Sequence, residues 1–371
     1  MPEMIPVNEP FIGNQETEYV LECLRTGWIS SEGRFIREFE ERWANYCGMA
    51  YGVAVSNGTV ALEIALACLN LAPGDEVILP TFTIISCAQA VTMNGLKPVL
   101  VDSDPHTWCM DVSQVASKIT PRTRALMPVH IYGHPVDMDP LLELARKHKL
   151  VIIEDAAEVH GAEYKGRKCG GLGDLSCFSF YANKIITTGE GGMILARDSS
   201  QAERLRSLRN LHFRKERRFY HTDLGHNYRL TNLQAAIGLA QLERIEESVA
   251  KKRWMGAAYT ERLKDIPTLQ LPVEKSWAKN VYWMYGLVLD ESTGLGAVEF
   301  ARRLSEKGVM TRPFFLGMHE QPVFHRMGLF KDEYYPVAER IARQGLYLPS
   351  GMTLTEAQIE KVCQAVHQVL A

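Results

Sequence analysis

The segment SNGT at 56–59 joins a strand-like apolar run to a helical one and has the features of a phosphate site. A turn of small residues that leads into a helix leaves the first backbone N–H groups free and presents the positive end of the helix dipole. Gly58 and Thr59 are therefore candidates to hold a phosphate. A tight turn in which Thr59 caps the helix explains the same residues equally well.

A carboxylate follows the apolar run in VIIEDAAEVHG, where a strand is predicted to end. Open α/β sheets bind ligands at the carboxyl ends of their strands, and Asp155 stands at such an end. An acid there can pair with a protonated pyridine nitrogen and keep the ring an effective electron sink. Glu158, three residues on, can reach another edge of the ring. Taken alone, Asp155 can equally be a helix cap.

Lys184 lies in LSCFSFYANKIITTGEGGM, in a short polar turn between two apolar runs. Most lysines are solvated, and Lys184 without its surroundings would be interpreted in the same way. Its position at the ligand-binding ends of two predicted strands favours a chemical role. Partial burial lowers the pKa of an amine, as a covalent nucleophile requires.

Short apolar runs alternate with helical ones through the first two thirds of the chain, which predicts a mostly parallel sheet covered on both faces. The phosphate turn, the carboxylate about 100 residues later and the lysine about 30 further on form the layout of fold-type I pyridoxal enzymes. We therefore predict an α/β fold of the aspartate-aminotransferase type. Its large cofactor-binding domain would span 1–249, including the N-terminal segment, and a smaller α+β domain would span 250–371. The predicted strands of the large sheet are 52–55, 76–79, 98–101, 125–130, 151–154, 177–180 and 193–196, and a strand at 282–289 is predicted in the smaller domain.

The composition argues against several classes of protein. Hydrophobic residues make up 46% and charged residues 23%, as in an ordinary globular protein. The net charge of −3 gives no field that would recruit nucleic acid or an acidic membrane, and the apolar runs are too short to span a bilayer. We see no export signal, and the eight cysteines form no CxxC pair, so we expect reduced thiols and a cytoplasmic protein.

Seven segments resemble the DegT/DnrJ family of sugar aminotransferases, and the resemblance covers nearly the whole chain. It implies a pyridoxal 5′-phosphate enzyme that moves an amino group from glutamate to a nucleotide-linked 4-keto-6-deoxy sugar, with pyridoxamine phosphate as the form that carries the amine. GDP-4-keto-6-deoxy-D-mannose is the favoured acceptor, and a UDP- or dTDP-linked 3- or 4-ketosugar stays open. The matching segments are TGWISSEG (26–33), SNGTVAL (56–62), PGDEVILP (73–80), PVHIYGHPVDMD (128–139), EDAA (154–157), FSFYANKIITTGEGGM (178–193) and GHNYRLTNLQAA (225–236).

The resemblance also implies roles for individual residues. Lys184 bonds covalently to the cofactor and shuttles the proton to the sugar carbon, Asp155 pairs with the pyridine nitrogen, and Glu158 lies near the ring hydroxyl. Asn227, in the GxNYR motif, is expected to reach the phosphate of the partner subunit, which implies a homodimer with shared active sites. The phosphate is otherwise assigned to Gly58, Thr59 and Ser179. Substrate binding is assigned to Trp28, Ser30, Arg229, Tyr282, Trp283, Arg312 and His319.

One position departs from the family pattern. Ile84 stands where the family usually has an aromatic residue that stacks on the cofactor ring, and we expect weaker stacking from its aliphatic side chain. Phe82 is the other candidate, although strand alternation leaves its direction open. No metal site is expected, since His130 and His134 lie on a strand and a proline-flanked turn.

Two other functions compete with transamination. A related dehydratase acts on the same kind of sugar with pyridoxamine phosphate, but it has histidine in place of the lysine, so Lys184 argues against it. A non-enzymatic sensor or regulatory protein that keeps the fold is the other alternative. The chain shows no basic face or added DNA-binding module that would favour such a protein.

Overall fold

The computed structural model describes residues 4–213 and 217–371. Its helices are α1 (Asn14–Thr26), α2 (Arg34–Cys47), α3 (Gly58–Cys68), α4 (Ser86–Met93), α5 (Val115–Lys118), α6 (Met138–His148), α7 (Ser199–Leu208), α8 (Asn232–Glu243), α9 (Ile245–Leu263), α10 (Ala297–Glu306), α11 (Pro322–Arg326), α12 (Pro336–Gln344) and α13 (Glu356–Leu370). Its strands are β1 (Tyr51–Val55), β2 (Glu76–Pro80), β3 (Lys97–Val101), β4 (Thr123–Leu126), β5 (Val151–Asp155), β6 (Glu163–Tyr164), β7 (Arg167–Lys168), β8 (Leu175–Ser179), β9 (Gly192–Ala196), β10 (Leu269–Gln270), β11 (Ala278–Lys279), β12 (Tyr285–Leu289), β13 (Arg312–Pro313) and β14 (Gly345–Leu348).

The large sheet has seven strands in the order β1-β9-β8-β5-β4-β2-β3. The pairs from β8 through β5, β4 and β2 to β3 are parallel, whereas β9 is antiparallel to both of its neighbours. The predicted, mostly parallel α/β sheet is thus confirmed. Because neighbouring parallel strands end at the same edge, Asp155 at the end of β5 and Ser179 at the end of β8 lie at one edge of the sheet.

Helix α2 carries a stripe of aromatic residues at helical spacing near the N-terminus. Phe35, Phe39 and Trp43 are buried, and Trp43 packs edge-on against Phe178 of the large sheet, with ring centroids 5.0 Å apart. The helix ends at Cys47 and is capped by Gly48, whose φ of 72° is the left-handed conformation that glycine tolerates best. The aromatic stripe is therefore core packing.

A second core forms around the sheet β10-β12-β14-β13. Tyr259 of α9, Phe300 of α10 and Val362 of α13 are buried in it. Ile5 also packs there and donates its N–H to the carbonyl of Gly308 at 2.8 Å. The division predicted between residues 249 and 250 falls inside α9 and stays a proposal. Through Ile5, the N-terminal segment also contacts the second core.

Two predicted strands are shorter than expected. The strand predicted at 282–289 begins only at Tyr285, because Tyr282 has a φ of 47° and its N–H bonds to Oδ1 of Asn280 at 2.8 Å, which turns the chain. The strand predicted at 125–130 ends at Leu126. None of the helices in the described part of the chain combines the length and apolar character that crossing a bilayer needs.

Candidate active site

A cavity of about 700 Å³ opens at the carboxyl ends of β5 and β8. Strand ends, the start of α3 and the turn after β8 all contribute side chains to it, and further residues come from beyond residue 280. Ser86, Phe315 and Tyr347 also line the cavity, although the sequence reasoning did not select them. The predicted site residues that it brings together are Gly58, Thr59, Asp155, Glu158, Ser179, Lys184 and Trp283.

The first turn of α3 forms one end of the cavity. Asn57 caps the helix, because its Oδ1 accepts the N–H of Val60 at 3.0 Å. The alternative in which Thr59 is the cap is therefore wrong, and the Thr59 hydroxyl instead lies 2.8 Å from that of Ser86. N–H groups in the first turn of a helix have no acceptor within the helix. These donors and hydroxyls together suit an anion.

Gly58 allows the first turn of α3 to approach β8 closely. A Cβ built at Gly58 would lie 2.7 Å from the Cβ of Ser179, closer than real side chains come. A larger residue would push α3 away from the strand end. The close approach holds the backbone at Gly58 and the hydroxyl of Ser179 at the same end of the cavity.

The Lys184 side chain is 9% exposed and lines the same cavity. Its Nζ lies 3.8 Å from the ring centroid of Trp283 and 4.0 Å from Oε1 of Glu158. Burial lowers the pKa of this amine below its ordinary value, and the nearby Glu158 and Asp155 carboxylates offset part of that shift. A buried amine with a lowered pKa has a larger neutral fraction, which is the nucleophilic form.

Glu158 is buried on the same side as Lys184. Its Oε2 accepts the backbone N–H of Tyr132 at 2.7 Å. Burial raises the pKa of Glu158 to about 7, although the Lys184 charge and the Tyr132 N–H oppose the rise. The carboxyl group can therefore hold or release a proton near neutral pH.

Asp155 is fixed from two directions at the end of β5. Its Oδ1 accepts the N–H of Ala157 at 3.1 Å, and its Oδ2 accepts the thiol of Cys87 at 3.0 Å. Only 3% of the residue is exposed, so the side chain has little freedom to turn. A carboxylate held in this way can accept a hydrogen bond from a protonated ring nitrogen in the cavity.

Glu154, which precedes Asp155, anchors the strand from the other face. Its carboxylate accepts the backbone N–H groups of Gly170, Leu172 and Gly173 at 2.6–2.8 Å, and Nε2 of His130 lies 3.0 Å away. Burial raises the pKa of Glu154, but these hydrogen bonds outweigh it and the pKa lies below its ordinary value. The glycine-rich segment at 169–174 is thus a turn that binds a carboxylate of the same chain.

The structure decides between the two candidates for covering the cofactor ring. Ile84 lines the cavity, and 45% of the residue is exposed. Phe82 points the other way: it is 1% exposed and packs against Tyr132 and Phe314, with ring centroids 6.1 and 5.7 Å apart. Ile84 is therefore the side chain that can cover a ring, and the Phe82 alternative is wrong.

Seven of the predicted residues lie outside this cavity, and four of them come from the first 230 residues of the chain. Trp28 is 56% exposed and lines a separate cavity of about 590 Å³. Arg229 lines a third cavity, of about 360 Å³, and its guanidinium donates to Oδ1 of Asn210 at 2.6 Å. Ser30 is exposed, and its carbonyl accepts the N–H of Asn232 at 2.6 Å. Asn227 is exposed as well. Within one subunit these residues are not part of the site.

The remaining three predicted residues come from the second part of the chain. The side chain of His319 is buried. Its Nδ1 lies 2.7 Å from Oγ1 of Thr81, and its Nε2 lies 3.2 Å from Oε1 of Glu339. Both ring nitrogens are thus engaged within the chain. Tyr282 packs against Gly256 and does not line the cavity. Substrate binding by His319 and Tyr282 stays a prediction. Arg312 is exposed on the short strand β13.

The parallel sheet and a buried lysine at its ligand-binding edge define the class as fold-type I pyridoxal-phosphate transferases. The chain belongs to the DegT/DnrJ/EryC1/StrS aminotransferase family, whose model matches residues 10–367. It is 45% identical to the GDP-perosamine synthase of Caulobacter vibrioides (99% of this chain and 98% of the relative) and 40% identical to that of Escherichia coli O157:H7 (98% of each). The aminotransferase TlmJ of Streptoalloteichus hindustanus superposes with a TM-score of 0.92 at 32% identity, over 99% of both chains. The chain is therefore an aminotransferase, as predicted, and these relatives favour that function over the sensor alternative.

The cofactor of this enzyme is pyridoxal 5′-phosphate, and the cavity fits it. The backbone N–H groups of Gly58 and Thr59 in the first turn of α3 suit the phosphate, and Gly58 admits no larger residue. Asp155 suits the ring nitrogen, and the amine of Lys184 suits the aldehyde. When bound, the cofactor supplies an electron sink for the carbon that gains or loses the amine. The chain's own contribution is to orient it and to move protons.

Proposed function

We propose that this enzyme transfers the amino group of L-glutamate to the 4-keto carbon of GDP-4-keto-6-deoxy-D-mannose and so makes GDP-perosamine. The observation that carries the choice of sugar is the full-length similarity to relatives named GDP-perosamine synthase, at 45% and 40% identity. The observation that supports the chemistry is the buried amine of Lys184 among the carboxylates of Asp155 and Glu158. A UDP- or dTDP-linked ketosugar is the competing acceptor.

In this proposal each residue of the cavity has a distinct task. Lys184 holds the cofactor and then moves the proton between it and the sugar carbon, which its lowered pKa favours. Asp155 would keep the ring nitrogen protonated, and Glu158 would lie near the ring hydroxyl. The phosphate contacts are the first turn of α3 at Gly58 and Thr59, with the hydroxyl of Ser179.

The same proposal includes a homodimer with shared active sites. Support comes from Asn227, Arg229, Trp28 and Ser30, which lie outside the one-subunit cavity and at or near the surface, where a partner can meet them. Exposed apolar side chains nearby are consistent with a covered face, since Trp28 is 56% and Ile29 47% exposed. Asn227 would reach the partner's phosphate, and Arg229 would meet an anionic group of the substrate.

The sugar is proposed to bind between the two parts of the chain. Trp283 lies next to the Lys184 amine, and Ile84 also lines the cavity. Arg312 is exposed and available to a phosphate of the nucleotide. Eight buried cysteines without a disulfide support a reducing compartment such as the cytoplasm.

The test is a panel of GDP-, UDP- and dTDP-linked ketosugars incubated with enzyme and glutamate. The proposal expects 2-oxoglutarate in proportion to an aminosugar whose mass matches amination, with the highest kcat/KM for GDP-4-keto-6-deoxy-D-mannose. Lys184→Ala should abolish turnover with every acceptor. A higher kcat/KM for a UDP- or dTDP-linked sugar would show that this sugar is the acceptor instead. A dehydrated product would show that the enzyme is a dehydratase and not an aminotransferase.

A further inference from the structure

The thiol of Cys87 lies at the carboxylate assigned to the cofactor ring. Its Sγ is 3.0 Å from Oδ2 of Asp155, and Oγ1 of Thr83 is 3.3 Å from the same sulfur. Cys87 is 0% exposed and belongs to the first turn of α4. The three side chains therefore form a buried chain of contacts that ends on one oxygen of Asp155.

The thiol keeps its proton in this position. Burial raises the pKa of Cys87 well above its ordinary value, and the negative charge of Asp155 raises it further. A carboxylate can only accept a hydrogen bond, so the Cys87 S–H is the donor and Oδ2 of Asp155 is the acceptor. Hydrogen bonds to ionised acceptors are stronger than neutral ones, and burial strengthens them again.

The same helix turn also touches the phosphate end of the cavity. Ser86, the neighbour of Cys87, lies 2.8 Å from the hydroxyl of Thr59. The start of α4 thus contacts two groups that are proposed to hold opposite ends of one cofactor. Asp155 has no other side-chain donor among the described residues, since its second partner is the backbone N–H of Ala157.

We propose that Cys87 is a positioning residue: its thiol proton fixes one oxygen of Asp155 and stabilises the carboxylate's charge, so that the other oxygen is presented to the cofactor nitrogen. The inference rests on the proposed role of Asp155. It assigns the buried thiol a part in cofactor binding that an apolar side chain of similar volume would not supply.

Three substitutions separate donation from packing. Cys87→Ser keeps a donor, whereas Cys87→Ala removes it and leaves little extra space. We expect the Kd for pyridoxal 5′-phosphate to rise about tenfold in Cys87→Ala and to stay within about threefold of the parent in Cys87→Ser. Cys109→Ala is the matched control, because that buried thiol donates to the carbonyl of His134 at 3.2 Å and does not line the cavity.

The S–H stretching band gives a readout that does not require activity or cofactor. In the infrared difference spectrum of the apo-protein minus Cys87→Ser, the band of Cys87 should lie at a lower frequency than that of a weakly bonded thiol. It should move to higher frequency in Asp155→Asn, whose neutral oxygen is a weaker acceptor, while the Cys109 band stays in place.

Either of two results would overturn the inference: a Cys87 band that Asp155→Asn leaves unmoved, or serine and alanine variants with the same Kd. Both measurements are independent of the proposed reaction. If the cofactor were not attached to Lys184, the proposed function would fail while the S–H shift remained. If Lys184 carried the cofactor and the band did not respond, only the role of Cys87 would fail.

Discussion

Nζ of Lys184 lies 4.0 Å from Oε1 of Glu158, and both side chains are almost completely buried. Their pKa values are displaced toward each other: burial lowers the pKa of the lysine and raises that of the glutamate to about 7. A buried pair of this kind can exchange which member holds the proton at modest cost. This is the property that proton transfer to and from a carbon requires.

The first prediction concerns the pH dependence of folding. A carboxyl with a folded pKa of about 7 against an ordinary value of 4.5 favours the folded state most below pH 4.5 and loses that contribution as the pH rises through 7. Glu158→Gln should therefore become more stable relative to the parent apo-enzyme as pH rises from 4.5 to 7, by on the order of 1 to 3 kcal/mol. Chemical denaturation at several pH values measures this.

Glu299→Gln is the control for that experiment. Hydrogen bonds from Arg302 and Arg303 lower the pKa of the exposed Glu299 to about 2, so its contribution changes only between about pH 2 and 4.5. The difference between Glu299→Gln and the parent should stay constant from pH 5 to 7. A flat profile for Glu158→Gln over the same range would contradict the raised pKa.

The second prediction concerns the close approach of α3 to β8. Gly58→Ala places a methyl group 2.7 Å from the Cβ of Ser179, so the first turn of α3 must move. We expect the Kd for pyridoxal 5′-phosphate to rise more than about tenfold, measured by absorbance titration of the apo-enzyme. Gly296→Ala, where the nearest atom is 3.7 Å from the added carbon, should leave the Kd unchanged. Equal effects would show that the geometry at Gly58 does not matter for the phosphate.

The third prediction concerns Trp283, whose ring lies 3.8 Å from Nζ of Lys184 and whose Nε1 donates to the carbonyl of Asn183 at 2.8 Å. Trp283→Ala removes the ring from a buried position and should destabilise the enzyme by about 3 kcal/mol or more. Trp283→Phe keeps a ring near the amine and should retain most of the stability. If the ring orients the lysine, kcat should fall at least about tenfold in Trp283→Ala and much less in Trp283→Phe. Equal kcat values would contradict that role.

The fourth prediction tests whether active sites are shared. Lys184→Ala and Asn227→Ala should each be nearly inactive as homodimers. Mixing and re-associating them should restore about a quarter of the parent activity, because half of the dimers are hybrids and each hybrid has one intact site. Lys184→Ala mixed with itself is the control. No recovery after verified subunit exchange would mean that both residues serve the same subunit's site.

The sequence alone was sufficient for the large sheet and for the residues at its ligand-binding edge. Alternating apolar runs predict parallel strands, and the rule that ligands bind at their carboxyl ends brings Asp155 and Lys184 together, whereas Ser179 was selected through the family resemblance. These are local signals. Ser86 was missed, although it follows β2 at the same edge and that rule would have selected it.

Contacts between distant segments could not be predicted in the same way. The orientation of Phe82 and Ile84 is decided after the strand ends, where alternation no longer applies. His319 looks like a substrate ligand in sequence, but its two ring nitrogens meet residues far away in the chain. Tyr282 is turned out of the cavity by a hydrogen bond to Asn280 that no spacing reveals.

The most direct test of the central claim is to reduce the enzyme with borohydride, which fixes the bond between the cofactor and its lysine, and then to digest it and map the peptides by mass. The account predicts a pyridoxyl label on Lys184 alone, in the peptide that contains YANK, and no label in Lys184→Ala. A label on another lysine, such as the buried Lys252, or no label at all, would contradict it.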